Sequence, residues 1–206
     1  LPVEWKDTKI NFIDTPGYFD FAGEVMLSTK VADAAIIVVS GKAGVEVGTE
    51  KAWEYVEKFE TPRMFFMNFM DDELRDHFGK SVAPVQIPFY DGEKIRGFID
   101  VITRETKYLD ASRTGFEPGP FPEEMRDEVE SLRQMIIEVA AESIDELLEK
   151  YFADEELTIE EIYEGLNVGV KERKIAPLFT GAANYGLGIM LLMNSIKNFL
   201  PPSVEC

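Results

Sequence analysis

Lys9-Ile10-Asn11-Phe12-Ile13-Asp14-Thr15-Pro16-Gly17 joins an apolar, strand-like run to a turn that opens with a carboxylate and closes with glycine. A strand ending in Asp-x-x-Gly suits the sensing of a nucleotide's terminal phosphate. Asp14 can hold Mg²⁺ directly or through water, and the amide of Gly17 can approach a γ-phosphate because glycine has no Cβ in the way. Asp-Thr-Pro-Gly is also a good turn sequence in its own right. The flanks favour the sensor, with a strand before it and Phe19-Asp20-Phe21 leading into a helix after it.

Outward from that stretch, residues 1 to about 70 alternate strand-like and helix-like signals, the pattern of a parallel α/β sheet. Lys9 to Ile13 reads as a strand. Ala34 to Val39 reads as another, apolar throughout as if both faces were covered. Phe21, Val25, Met26 and Val31 fit a short helix, and Ala52, Trp53, Val56 and Phe59 a second one over Thr49 to Phe59 that Pro62 ends. Met64-Phe65-Phe66-Met67 reads as a third, buried strand.

From about Pro84 to Val170 the pattern changes to that of an inserted α+β subdomain. Short strands such as Ile95 to Ile102 are punctuated by Pro84, Pro88, Gly92 and Gly97, and a loop with Gly115, Pro118, Gly119, Pro120 and Pro122 follows. One long helix is then expected, its apolar stripe running from Met125 through Val129, Leu132, Ile136, Val139, Ile144 and Leu147 to Tyr151. Thr158 and Glu161 form a capping box that opens another helix. The first pattern returns with a strand at Ile175 to Phe179, a loop at Thr180-Gly181-Ala182-Ala183, and a helix from Ile189 to Leu200 stopped by Pro201-Pro202.

Two more segments fit a nucleotide. Asn68-Phe69-Met70-Asp71 directly follows the third strand, where ligands sit in open α/β sheets. An Asp carboxylate accepts both N–H donors of guanine while an Asn braces the loop, so Asn68 and Asp71 stand at the right ends. Ala182-Ala183 follows the last strand, where small residues let backbone amides reach the guanine O6. Phosphate sensor, base selector and amide loop thus each follow a separate apolar strand.

Taken together, Ile13 to Phe21, Val38 to Glu46, Phe66 to Asp71 and Pro177 to Ala183 resemble the G domain of bacterial elongation factor G. Ile136 through Glu164 resembles the inserted subdomain of that factor, and Pro201-Pro202-Ser203 its exit toward a next domain. The resemblance implies a P-loop-NTPase-type α/β fold: a partial G domain over residues 1–83 and 171–206, and an inserted α+β subdomain over 84–170. It further implies a ribosome-dependent GTPase of protein biosynthesis that uses GTP/GDP and Mg²⁺, in the cytoplasm, with ribosomal RNA and protein as partners. A ribosomal protection or release-factor-type GTPase, or a nonenzymatic ribosome-docking module, remain alternatives.

Three departures from the family pattern carry expectations. Tyr18 stands where the family has the histidine that orients the attacking water, so slow or differently organised hydrolysis is expected. Phe69 stands where the family has a lysine whose stem lies over the base. Only Asp72 and Glu73 separate the base-selecting segment from Leu74-Arg75-Asp76-His77-Phe78, where the family carries a longer helix. The phosphate-cradling loop should precede Asp14, yet only thirteen residues do. A gap in the sheet, and weak nucleotide binding by the chain as written, are therefore expected. Gly79-Lys80-Ser81 ends like such a loop but lies after the sensor and lacks the earlier glycine, and His77 has no metal partner by spacing.

Composition narrows the classes further. A formal charge of −18 opposes an electrostatic grip on nucleic acid. Much of the acidic excess lies between Glu117 and Glu164, on helices that are solvated or dock on basic ribosomal protein. No apolar stretch approaches the length of a membrane span, so no membrane partner is expected. The single cysteine, Cys206, excludes an intramolecular disulfide and points to a reducing compartment.

Overall fold

The computed structural model describes residues 1–68, 77–92, 94–111 and 115–202. The chain opens with an antiparallel hairpin of β1 (Pro2–Trp5) and β2 (Thr8–Asn11), paired from Pro2↔Asn11 to Trp5↔Thr8. Its turn holds Lys6 (φ 42°) and Asp7 (φ 57°) in the left-handed region, a type I′ geometry that Asn-Gly adopts more easily. The strand read at Lys9 to Ile13 therefore pairs locally and antiparallel, outside the parallel sheet, and β1 is an additional strand. Val3, Trp5, Ile10 and Phe12 pack against the core while Glu4 and Lys9 face solvent, so the hairpin has the alternation of a one-sided ribbon.

Next come α1 (Ala22–Val31), β3 (Ala35–Ser40), α2 (Val47–Lys58), β4 (Arg63–Asn68) and β5 (Val82–Pro84). With the later β10 (Ala176–Gly181) they make a four-stranded parallel sheet in the order β3-β4-β10-β5. Met64 to Met67 is buried on both faces, as a continuous apolar run requires. Phe65 and Met67 join Ile37, Val39 and Leu178 beneath Val56 and Trp53 of α2, whereas Met64, Phe66 and Phe179 face the larger core. Each buried Phe here contributes roughly 1.5–3 kcal/mol.

β3 departs from its expected burial. Ile37 and Val39 are covered, but Val38 is 67% exposed, and β3 has no strand on its outer edge among the described residues. α1 buries none of its residues, leaving Leu27 and Val31 exposed.

The insertion starts where β5 ends. Val85 N–H donates to Leu178 O at 3.2 Å, and β6 (Gln86–Asp91) leaves the parallel sheet to pair with β7 (Lys94–Asp100). β8 (Thr106–Leu109) and β9 (Phe116–Pro118) complete an antiparallel sheet in chain order. Residues 116–118, read as loop, thus form an edge strand, where a proline is tolerated.

Three helices follow: α3 (Arg126–Ala141), α4 (Asp145–Phe152) and α5 (Ile159–Lys171). The single long helix expected from Met125 to Tyr151 is two. Ile144 is extended, and its carbonyl accepts the N–H groups of Leu147 and Leu148 to open α4. The capping box forms in both directions: Glu161 N–H donates to Thr158 Oγ1 at 3.2 Å and Thr158 N–H to Glu161 Oε2 at 2.9 Å. The chain returns through β10 into α6 (Ile189–Phe199). One continuous core holds Phe66 of the parallel sheet together with Ile87, Ile99, Ile136, Leu166 and Phe199.

Candidate nucleotide site at the carboxyl edge of the sheet

Three parallel strands end in step. Ser40 pairs with Asn68, and Asn68 with Gly181, so the connections after β3, β4 and β10 all leave from one edge. That carboxyl edge is where open α/β sheets bind ligands.

After β3 the chain turns at Gly41-Lys42-Ala43-Gly44. The amides of Ala43 and Gly44 donate back to Ser40 O at 3.1 and 2.9 Å, with Gly44 at φ 66°. The sequence reading assigned this turn no role in the site. Its signal was available, a glycine pair directly after an apolar run.

After β4 only the backbone of Asn68 is placed, as the last residue of the strand. Phe69 and Asp71 lie outside the described residues.

After β10 the loop closes on itself. Ala182 N–H donates to Leu187 O at 3.0 Å, Leu187 N–H to Ala182 O at 3.1 Å, and Tyr185 N–H to Ala182 O at 2.9 Å. Thr180 and Gly181, read as loop, are the last two residues of the strand. A Cβ at Gly181 would meet Leu187 O at 2.6 Å, so packing as well as any ligand requires glycine there. Ala182 is buried with its N–H engaged inside the loop, while Ala183 is exposed and begins a single helical turn through Tyr185.

Asp14, Gly17 and Tyr18 lie on the irregular segment that leaves the hairpin. Phe12 N–H donates to Leu1 O at 2.9 Å, which extends the hairpin by one pair before the segment begins. Asp14 and Gly17 are exposed, Tyr18 is 79% exposed, and a Cβ at Gly17 would meet nothing within 4 Å.

Gly79-Lys80-Ser81 forms a short helical turn on which Lys80 Nζ pairs with Glu138 Oε1 of α3 at 2.6 Å. Its cation is thus used in a surface ion pair. His77 Nε2 lies 3.2 Å from Glu50 Oε1, and no group of three or more metal-ligating side chains occurs among the described residues.

The fold and this edge define a class: a nucleotide-binding α/β domain of the G-domain type, carrying an inserted antiparallel sheet. Residues 1–202 match the elongation factor Tu GTP binding domain, and the chain belongs to that family of translational GTPases. Guanine-nucleotide binding and GTPase activity are properties of the family. The chain is also similar to a protein of Thermus thermophilus known from its crystal structure, at 31% sequence identity and a TM-score of 0.90. The match covers 99% of this chain and 32% of the Thermus chain, so this chain spans about a third of that protein's length. No helix among the described residues is long and apolar enough to cross a membrane.

Proposed function

We propose that this chain is the nucleotide-binding region of a cytoplasmic, ribosome-dependent GTPase of elongation factor G type, acting in tRNA and mRNA translocation or a related step. Residues 1–83 and 171–206 are assigned to the G domain and 84–170 to its inserted subdomain. The observation that carries this reading is the common register of Ser40, Asn68 and Gly181, with the insertion built between β5 and β10 of the same sheet.

GTP and Mg²⁺ fit the residues present. Asp14 offers an exposed hard-oxygen ligand, and the open space at Gly17 leaves its backbone approachable. Asp14 would hold Mg²⁺, directly or through water, and the Gly17 amide would donate to the terminal phosphate. When bound, Mg²⁺ supplies charge neutralisation at the phosphate oxygens. Asn68 would brace the base-recognition segment and Asp71 would accept the guanine N–H donors. Ala182 and Ala183 keep the third loop small, so the base O6 can come close to its backbone. Tyr18 would stand beside the attacking water, where a phenol is a poorer proton acceptor than an imidazole.

The docking reading is favoured by a separate observation: α3, α4 and α5 each open with acidic residues, among them Asp127, Glu128, Asp145, Glu146 and Glu160. Such faces suit basic ribosomal protein. The deciding experiment is a mant-GDP fluorescence titration of this chain beside a version extended upstream through a phosphate loop. Binding by the extended protein alone supports the GTPase reading. Binding by neither supports a docking module that has lost its nucleotide.

A further inference from the structure

We infer that a second ligand site lies in a cleft of ≈ 350 Å³ where the hairpin turn, α6 and the inserted subdomain meet. We propose that it takes a small anion with an apolar body. The size lies at the lower end of small-molecule sites. Its lining combines the apolar side chains of Phe98, Ile102, Leu191 and Phe179 with the basic residues Lys6, Lys107 and Lys197.

Of the two carboxylates that line it, Asp100 has an oxygen committed inward. Its Oδ1 accepts the N–H groups of Ile102 at 2.9 Å and Thr103 at 2.8 Å. Three lysines line the cleft with Asp100 and Glu105, a formal surplus of positive charge in a chain whose formal charge is −18.

The walls of the cleft are held in place. Trp5 Nε1 donates to Asn194 Oδ1 at 3.0 Å, and Lys197 Nζ donates to Lys6 O at 3.1 Å. Lys6 itself sits at φ 42°, a conformation costly for a residue with a side chain, and it is kept where its carbonyl meets α6. A ligand seated there touches the hairpin and α6 at once and reports on both.

The test uses the full-length protein and 1-anilinonaphthalene-8-sulfonate, a sulfonate on an aromatic body, with inorganic phosphate as the charge without the body. The readouts are a binding isotherm and the Trp5 indole N–H resonance, assigned by its loss in Trp5→Phe. We expect saturable 1:1 binding that shifts this resonance. Asn198→Trp, which puts a large ring on the lining, should weaken binding about tenfold or more, and Lys197→Glu severalfold, with circular dichroism showing that both variants fold. Phosphate should not compete at equal concentration. Binding that survives both substitutions, that leaves the Trp5 resonance unmoved, or that phosphate matches in affinity would overturn the proposal.

Discussion

Trp5 donates its indole N–H to Asn194 Oδ1 at 3.0 Å, tying the first strand to the last helix across 189 positions of sequence. The ring is half-buried against the core, so Trp5→Phe retains most of its packing and removes the donor. A bond of this kind contributes a net ~1 kcal/mol. Trp5→Phe and Asn194→Ala are each expected to lower the unfolding free energy by about that amount in urea titrations, and the double variant by little more than the larger single loss. Fully additive losses would show that the two residues are not coupled.

Gly165 of α5 lies directly against Ala140 of α3. A Cβ there would drive into the carbonyl of Ala140, a backbone group that cannot swing aside, whereas a Cβ at Gly169 would meet the side chains of Ile175 and Ser143. Gly165→Ala is expected to cost about 2–4 kcal/mol through forced separation of the helices, and Gly169→Ala clearly less, although alanine is the better helix former at both. Chemical denaturation of the pair decides it; equal losses would contradict the backbone contact.

Those helices also mark what was readable in the sequence and what was not. Met64 to Met67 and the run ending at Phe179 were legible as buried strands because continuous apolar runs have few other uses. The capping box was legible because Thr158 and Glu161 satisfy each other locally. The break between α3 and α4 was hidden because the apolar stripe runs on through Ile144 and Leu147. The turn is set by the docking of Ala140 and Ala141 on the core and by Ser143 Oγ donating to Val139 O, neither of which periodicity records. β1 was missed although Val3 and Trp5 alternate with Glu4, since four residues are a short window. Of the site, the order of the three segments was legible. The common register of Ser40, Asn68 and Gly181 was not, because it depends on strand pairing.

Arg63 begins β4 with its guanidinium buried against the Trp53 ring, 4.2 Å from the centroid, and paired with Glu57. Its Nε and Nη1 have no hydrogen-bond partner, and burial pushes the group below its ordinary pKa. A buried cation with unmet donors adds little net stability, whereas stranding it by removing its partner is costly. Arg63→Met is therefore expected to stay within about 1 kcal/mol of the parent protein or exceed it. Glu57→Gln, with Glu57 half-exposed, is expected to lose about 1–2 kcal/mol. A larger loss for Arg63→Met than for Glu57→Gln in thermal melts would reverse this account.

Burial also pushes the Asp100 carboxyl above its ordinary value, opposed by hydrogen bonds from Thr103 and Ile102. The folded state then holds the Asp100 proton more tightly than the unfolded chain does. This contribution is fully present below the unfolded pKa and is lost as pH rises through the folded one. Asp100→Asn keeps an oxygen to accept the same two amides and cannot ionise. Its stability relative to the parent should therefore rise in urea titrations as pH climbs from the ordinary carboxylate range through the raised titration of Asp100. A relative stability that falls over that interval would mean that the carboxylate form is favoured in the folded protein.

Tyr18 is 79% exposed on the segment that also carries Asp14 and Gly17, so a substitution there removes almost no packing and isolates chemistry from folding. If the segment adjoins the terminal phosphate as proposed, the side chain at this position faces the attacking water, and an imidazole is the better proton acceptor there than a phenol. In the full-length protein, Tyr18→His is expected to raise ribosome-stimulated GTP turnover by about tenfold or more while leaving nucleotide affinity near that of the parent. The split between turnover and affinity is informative. A rise in both would indicate that Tyr18 obstructs the site, and unchanged turnover would show that the water is oriented by another group and that this loop does not supply the catalytic residue.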